Sequence, residues 1–236
     1  MECRITPSLG VVIVAGGKGH RMGGSIPKQF MLLGQKPILA HTINAFAEAF
    51  TSAEIVVTLP AEYIDYWHNL SSRFNVATHK CIIGGEERFH SVHLGIKALS
   101  PDVEIIAVHD GVRPLVSHEL LNRCFEQTIK LGSAVPAIEV SDSFRMVKGK
   151  ESQIIERGNL RAIQTPQMFD SAILRRAYRQ EFSTQFTDDA SVVESSGERI
   201  ELCQGERSNI KITTSEDILY AQTILNDNAK PQDIQI

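Results

Sequence analysis

The chain has 236 residues, 42% of them hydrophobic, and a formal net charge of −4. That is enough apolar material for one α/β domain spanning 1–236, and no apolar run reaches the ~20 residues of a membrane span. The mild acidity and the lack of a long basic run argue against a nucleic-acid partner. The four cysteines, Cys3, Cys81, Cys124 and Cys203, form no CxxC pair and read as free thiols. The opening MECRITPSLG lacks the basic-then-apolar pattern of a secretory signal, so a cytoplasmic location is expected.

In chain order, GVVIVAGG at 10–17 reads as a buried strand running into a glycine-rich loop. Pro37 precedes an apolar stripe of Leu39, Ile43, Phe46 and Phe50, the signature of an amphipathic helix. EIVVTLP at 54–60 is a second buried strand stopped by Pro60. Residues 61–72 read as a helix, 80–83 as a strand, 87–99 as a helix, 104–108 as a strand and 118–131 as a helix. This alternation predicts a largely parallel sheet covered on both faces, a Rossmann-like α/β fold. Ligands of such sheets bind at the carboxyl ends of strands, which points to the loops at 15–24, 84–91 and 109–114.

From 134 to 165 the pattern changes to short β-like pieces (134–140, 144–147, 153–156) separated by SDS and GKES turns. They predict a protruding β-arm over about 138–162. Helices are expected again at about 170–182 and 188–196, a strand at 199–204, and a capping box of Thr213 and Glu216 opening the last helix.

The loop after the first strand carries the strongest chemical signal. Ala15, Gly16, Gly17 and Gly19 let backbone approach a phosphate and present N–H donors to it. Arg21 and Lys28 add fixed positive charge, enough to cradle a triphosphate and to stabilise leaving pyrophosphate. No Lys-Ser or Lys-Thr follows, so the segment is not a P-loop. Met22 stands at the third glycine of a dinucleotide fingerprint, and the next strand carries no acid at its end. His90 and His93, three residues apart, lack a third metal ligand and read as a solvated face. No GxSxG supports a serine hydrolase.

The segment AGGKGHRMGGSIPKQF closely resembles the signature loop of the methylerythritol-phosphate cytidylyltransferases, with Gly16 where that family more often has alanine. Four more segments resemble the family in order, from about residue 10 to 226. GGEERFHSV at 84–92 resembles its base-reading loop, in which Gly85, Glu86 and Ser91 would contact the cytosine; Glu86 stands where Asp is common. VHDGVRP at 108–114 places Asp110 and Gly111 near the ribose, with Asp110 also a candidate magnesium contact, and Arg113 toward the second substrate. The segment 156–167, ending QTPQ, brings Arg157 and Thr165. Ser143 replaces a family threonine. NIKIT at 209–213 brings Lys211, on a substrate phosphate.

The resemblance implies a fold, an activity and an assembly. CMP passes from CTP to 2-C-methyl-D-erythritol 4-phosphate, with Arg21 and Lys28 catalytic and magnesium (or another divalent cation) bridging the phosphates. Asp110, Arg113, Thr165 and Lys211 would seat the acceptor. Ser143 and Arg157 would reach the active site of a second subunit, since the family's arm is exchanged in a homodimer. Three other readings stand beside it: a ribitol-5-phosphate cytidylyltransferase, which shares these loops, a non-catalytic nucleotide-sensing module, and a sugar-1-phosphate nucleotidyltransferase, which shares the fold class.

Overall fold

A computed structural model describes residues 6–17 and 26–228. Its centre is a sheet in which β1 (Leu9–Val14) lies between β4 (Glu54–Leu59) and β6 (Ile105–Asp110), both parallel to it. Beyond β4 lies β5 (Lys80–Ile83), again parallel. Beyond β6 the direction reverses. β11 (Gln167–Asp170) runs antiparallel between β6 and β7 (Ser133–Glu139), and β7 is flanked by β10 (Arg161–Ile163) and β12 (Leu202–Gln204). The expected sheet is therefore present and mostly parallel, with antiparallel strands gathered on one side. Away from it, β2 (Leu32–Leu33) and β3 (Lys36–Pro37) form a small hairpin.

Residues of β1 alternate between two cores, as a pleated strand requires. Val11 and Ile13 face a cluster built with α1 (Ile38–Ala49), α2 (Ile64–Ser71) and α4 (His118–Leu131). Val12 faces the opposite cluster, with α3 (Arg88–Ala98), α5 (Ser171–Ala177) and α6 (Asp189–Ser195). The chain thus moves outward from β1 to β4 and β5 on one face, then returns along the other to lay β6 on β1's far side. The reversal makes a crevice at the carboxyl ends of β1 and β6, the switch point where such sheets bind ligands.

Three local expectations are corrected. The helix expected at about 170–182 starts on time, with α5 opening at Ser171 under the Asp170 cap, but it ends at Ala177, and the residues before it form a strand the sequence did not suggest, β11, in the body of the sheet. The last helix, α7 (Ser215–Asn228), opens one residue later than the sequence suggested. The Thr214 hydroxyl accepts the Asp217 amide at 3.3 Å and Asp217 accepts the Thr214 amide at 2.8 Å, so Thr214 and Asp217 form the reciprocal cap. His93 is not simply solvated, since its ring meets Phe89 and Tyr178 edge-on.

The β-arm is present as β8 (Phe144–Lys148) and β9 (Glu151–Ile155), paired only with each other. Gly149, at φ +61°, makes its two-residue turn.

Candidate active site

A cavity of about 490 Å³ opens at the crevice. On one wall are Val14, Ala15, Gly16 and Gly17, leaving β1. Opposite are Gly85, Glu86 and Glu87 after β5, with Arg88 and Ser91 of α3; Asp110, Lys28 and Lys211 close it. Lys28 belongs to a 3-10 turn, Lys28–Phe30, whose other members are buried anchors. The Gln29 amide donates to the Ala15 carbonyl at 2.7 Å. Phe30 stacks on Trp67 with ring centroids 5.8 Å apart. The lysine is thereby fixed beside the glycine loop.

The opposite loop is shaped by close approach. A Cβ on Gly85 would lie 2.3 Å from His90 Cβ, so no side chain fits there. The Ser91 hydroxyl accepts the Gly85 amide at 3.1 Å and ties the loop to α3. Gly111 does not line this cavity. Its amide donates to the Val14 carbonyl at 2.9 Å, joining the ends of β6 and β1 behind the site.

Asp110, at the end of β6, is nearly buried and faces three cations among the described residues. Lys211 Nζ is 3.1 Å and Arg113 Nε 3.2 Å from its Oδ2, and Arg88 Nε is 3.9 Å from Oδ1. Burial pushes the Asp110 pKa up, but Lys211, Arg88 and Arg113 outweigh it and hold the carboxyl well below the usual range. Asp110 is a carboxylate at any working pH.

A hydrogen-bonded chain fixes this end of the strand. The Asp110 amide donates to the Thr165 hydroxyl at 3.1 Å, and that oxygen lies 3.0 Å from His109 Nδ1. His109 Nε2 is 3.1 Å from the Arg113 carbonyl, which can only accept, so Nε2 carries the proton and Nδ1 accepts from Thr165. Burial, the largest influence, lowers the His109 pKa to about 4. The Thr165–Pro166 peptide is cis.

A second cavity, of about 280 Å³, shares Arg88, Asp110 and Lys211 with the first. Its other walls are Arg113, Thr165, the 163–167 segment and Thr187–Asp188 before α6. Asp188 is the N-cap of α6, in a capping box with Ser191, and also accepts from Gln167 at 2.8 Å.

Most sequence-predicted residues thus meet around Asp110. Gly19 and Arg21 lie outside the described residues. Ser143 is exposed on the arm, and Arg157 lines a separate surface cavity of about 370 Å³ with Arg161 and Arg207. Within one chain, neither joins the site. The sequence motifs give no site role to Gln29, Arg88 or His109, and Asp189 reads there only as an acid at a helix start. Arg88 and His109 stood inside quoted motifs, but their partners are remote or buried in the strand end.

The model of one protein family, 2-C-methyl-D-erythritol 4-phosphate cytidylyltransferase, matches residues 9–227. The chain belongs to that family. It is 44% identical over 216 residues to the enzyme of that name from Bacteroides fragilis, covering 91% of this chain and 98% of the relative. The relative from Phocaeicola vulgatus is 43% identical over the same length and shares. Among solved structures, the 4-diphosphocytidyl-2C-methyl-D-erythritol synthase of Anaerococcus prevotii superposes with a TM-score of 0.79 at 27% identity, covering 94% of this chain and all of the other. The 2-C-methyl-D-erythritol 4-phosphate cytidylyltransferase of Thermus thermophilus superposes with a TM-score of 0.74 at 29% identity, covering 93% and 99%. Family membership makes the chain a nucleotidyltransferase with the nucleotide-diphospho-sugar transferase fold. Among the described residues, no helix is long and apolar enough to cross a membrane.

Proposed function

We propose that the chain transfers CMP from CTP to 2-C-methyl-D-erythritol 4-phosphate, releasing pyrophosphate, with the two substrates in the two cavities that meet at Asp110. The observation that carries this placement is the shared wall of Arg88, Asp110 and Lys211. In this reading Ala15, Gly16, Gly17 and Lys28 take the triphosphate, joined by Gly19 and Arg21. Backbone of Gly85 and Glu86 reads the cytosine edge, with Ser91 holding that loop in shape. Asp110 orients the ribose, while Arg113 and Lys211 draw in the acceptor phosphate.

The acceptor's phosphate monoester is ionised near neutral pH, so the attack on the α-phosphorus needs no general base. The protein's contribution is to align two anions and neutralise their charge. Lys28 stabilises the charge that builds on the α-phosphate and on leaving pyrophosphate. Lys211 and Arg113 are pre-paired with Asp110, so the acceptor phosphate meets cations already in place.

Among the described residues, no three His, Cys, Asp or Glu side chains gather as a metal site. Asp110 Oδ2 is taken by Lys211 and Arg113, which leaves Oδ1, faced by Arg88 Nε at 3.9 Å and beyond hydrogen-bond reach of it. That donor set fits a magnesium ion that arrives with the nucleotide and takes at most one protein carboxylate oxygen. Bound there, magnesium would supply charge neutralisation on the phosphates.

The arm supports a homodimer. A two-stranded hairpin is marginal by itself, and Met146 (60% exposed), Val147 (69%) and Ile154 (78%) leave apolar surface uncovered along it. In the proposed dimer the arm brings Ser143 and Arg157 to the partner's acceptor cavity. Both substrates are phosphorylated metabolites, which suits a cytoplasmic enzyme. The test is pyrophosphate release with CTP, magnesium and each acceptor. Methylerythritol phosphate should turn over at least ~100-fold better than ribitol 5-phosphate. Preference for ribitol phosphate, or CTP binding without turnover, overturns the reading.

A further inference from the structure

Arg88 is the first residue of α3, directly after the loop that faces the first cavity, and Asp189 is the first residue of α6. Their side chains meet fork to fork, Nη1 to Oδ1 at 2.9 Å and Nη2 to Oδ2 at 2.6 Å. The Asp189 side chain has no solvent exposure, and its Oδ1 also accepts the Tyr178 hydroxyl at 2.6 Å. A carboxylate so buried persists only with its charge and hydrogen bonds matched. Two parallel bonds from a planar guanidinium leave Arg88 a single orientation.

That orientation has a consequence at the site. It turns Arg88 Nε toward Asp110 Oδ1, at 3.9 Å, and places the guanidinium on the wall common to both cavities. Here one side chain links three parts: the base-side loop through its own backbone, α6 through Asp189, and the end of β6 through Asp110. The Tyr178 ring, stacked on Phe89 at 4.9 Å, braces the far side of Asp189.

We infer that Arg88, locked by Asp189, is a positioning residue of the transfer reaction, holding the base-side loop and the Asp110 carboxylate in one mutual geometry so that nucleotide and acceptor meet in line. The inference rests on the two-cavity reading above. It assigns a role to Arg88 and Asp189, which that reading leaves without one. Without the fork, the loop and Asp110 can each still bind a substrate, but their relative placement loosens. Misplacement of this kind lowers turnover as well as affinity.

The test is steady-state kinetics of Arg88→Lys, Arg88→Gln, Asp189→Asn and the double variant Arg88→Gln/Asp189→Asn, with Tyr178→Phe and Lys211→Ala as references. Thermal melts report the fold. Arg88→Lys keeps a charge near Asp110 but loses the fork, and should lose about 10-fold in kcat/KM while Arg88→Gln loses about 100-fold. The loss should appear in kcat and in KM for both substrates. The double variant should be no worse than Arg88→Gln, because the residues act as a unit. Tyr178→Phe, which removes one hydrogen bond to Asp189 but keeps the Arg88 fork, should lose less than Arg88→Lys. Arg88→Lys and Arg88→Gln variants that melt lower yet keep kcat/KM within about threefold of wild type would show a packing salt bridge only and overturn the inference. Should Arg88→Gln fail to fold, Arg88→Lys decides alone. If Lys211→Ala also keeps full activity, the two-cavity reading fails; if Lys211→Ala is crippled and the Arg88 variants are not, only this inference does.

Discussion

The Thr165 hydroxyl donates to His109 Nδ1 across 3.0 Å and accepts the Asp110 amide at 3.1 Å. With its donor spent on a neighbour, Thr165 acts on the acceptor cavity mainly through Asp110. Valine has the same shape and neither bond. Thr165→Val should therefore cost about 1–3 kcal/mol, since it leaves the Asp110 amide and the His109 nitrogen unpaired in a buried place. It should also lower kcat/KM by about 10-fold or more. Thr165→Ser should restore most of both. Urea titrations and initial rates on the three proteins check this; equal behaviour of Val and Ser would refute it.

His109 predicts an acid limit. Its folded pKa is lowered from 6.5 to about 4, so the neutral ring is favoured by folding. The associated stability is fully present above pH ~6.5 and is lost as pH falls toward about 4, on the order of 3 kcal/mol in all. Asp110, also depressed, adds a further loss only below the ordinary carboxylate range, near pH ~4. Unfolding free energy measured between pH 7 and 4 should fall more steeply for wild type than for His109→Gln, whose amide does not titrate. Parallel curves would contradict the assignment.

Gly95 lets α3 settle on the sheet. A Cβ there would lie 2.4 Å from Val12 Cγ1 and 3.4 Å from Thr58 Cγ2. Although alanine is the better helix former, Gly95→Ala should destabilise by about 1–3 kcal/mol through overpacking. The same shift would move Arg88 at the start of the helix. Thermal denaturation checks the first effect, and a raised KM for CTP the second.

The arm offers a prediction about assembly. Val147 and Ile154 are its most exposed apolar side chains. Replacing both by aspartate should leave the fold of the body intact, convert a dimer to monomers in sedimentation velocity, and lower turnover at concentrations where wild type is paired. A wild-type protein that sediments as a monomer would remove the arm from the account.

Local pattern carried most of the fold. β1, β4, α1, α3 and α4 are plain in their hydrophobic periods, and the β-arm within 134–165 shows in its turn residues. β11 was not legible. It has only four residues, lies between Pro166 and the capping Asp170, and owes its existence to β6 and β7, which pair with it from far away in sequence. The site divides likewise. Lys28, Asp110, Arg113 and Lys211 announce themselves by chemistry within short motifs. The Arg88–Asp189 fork joins residues 101 positions apart, and Thr165 reaches His109 over 56. Side chains so placed look like ordinary helix-start and strand-end residues until the sheet brings them together.

The central claim is that both substrates meet at Asp110. Its most direct test is pyrophosphate release from CTP and 2-C-methyl-D-erythritol 4-phosphate by wild type and Asp110→Asn. Asparagine keeps the shape and removes the charge that Lys211, Arg113 and Arg88 share. The account predicts a loss of at least ~100-fold in kcat/KM for the acceptor in a variant that still folds. An Asp110→Asn enzyme within about threefold of wild type would contradict it.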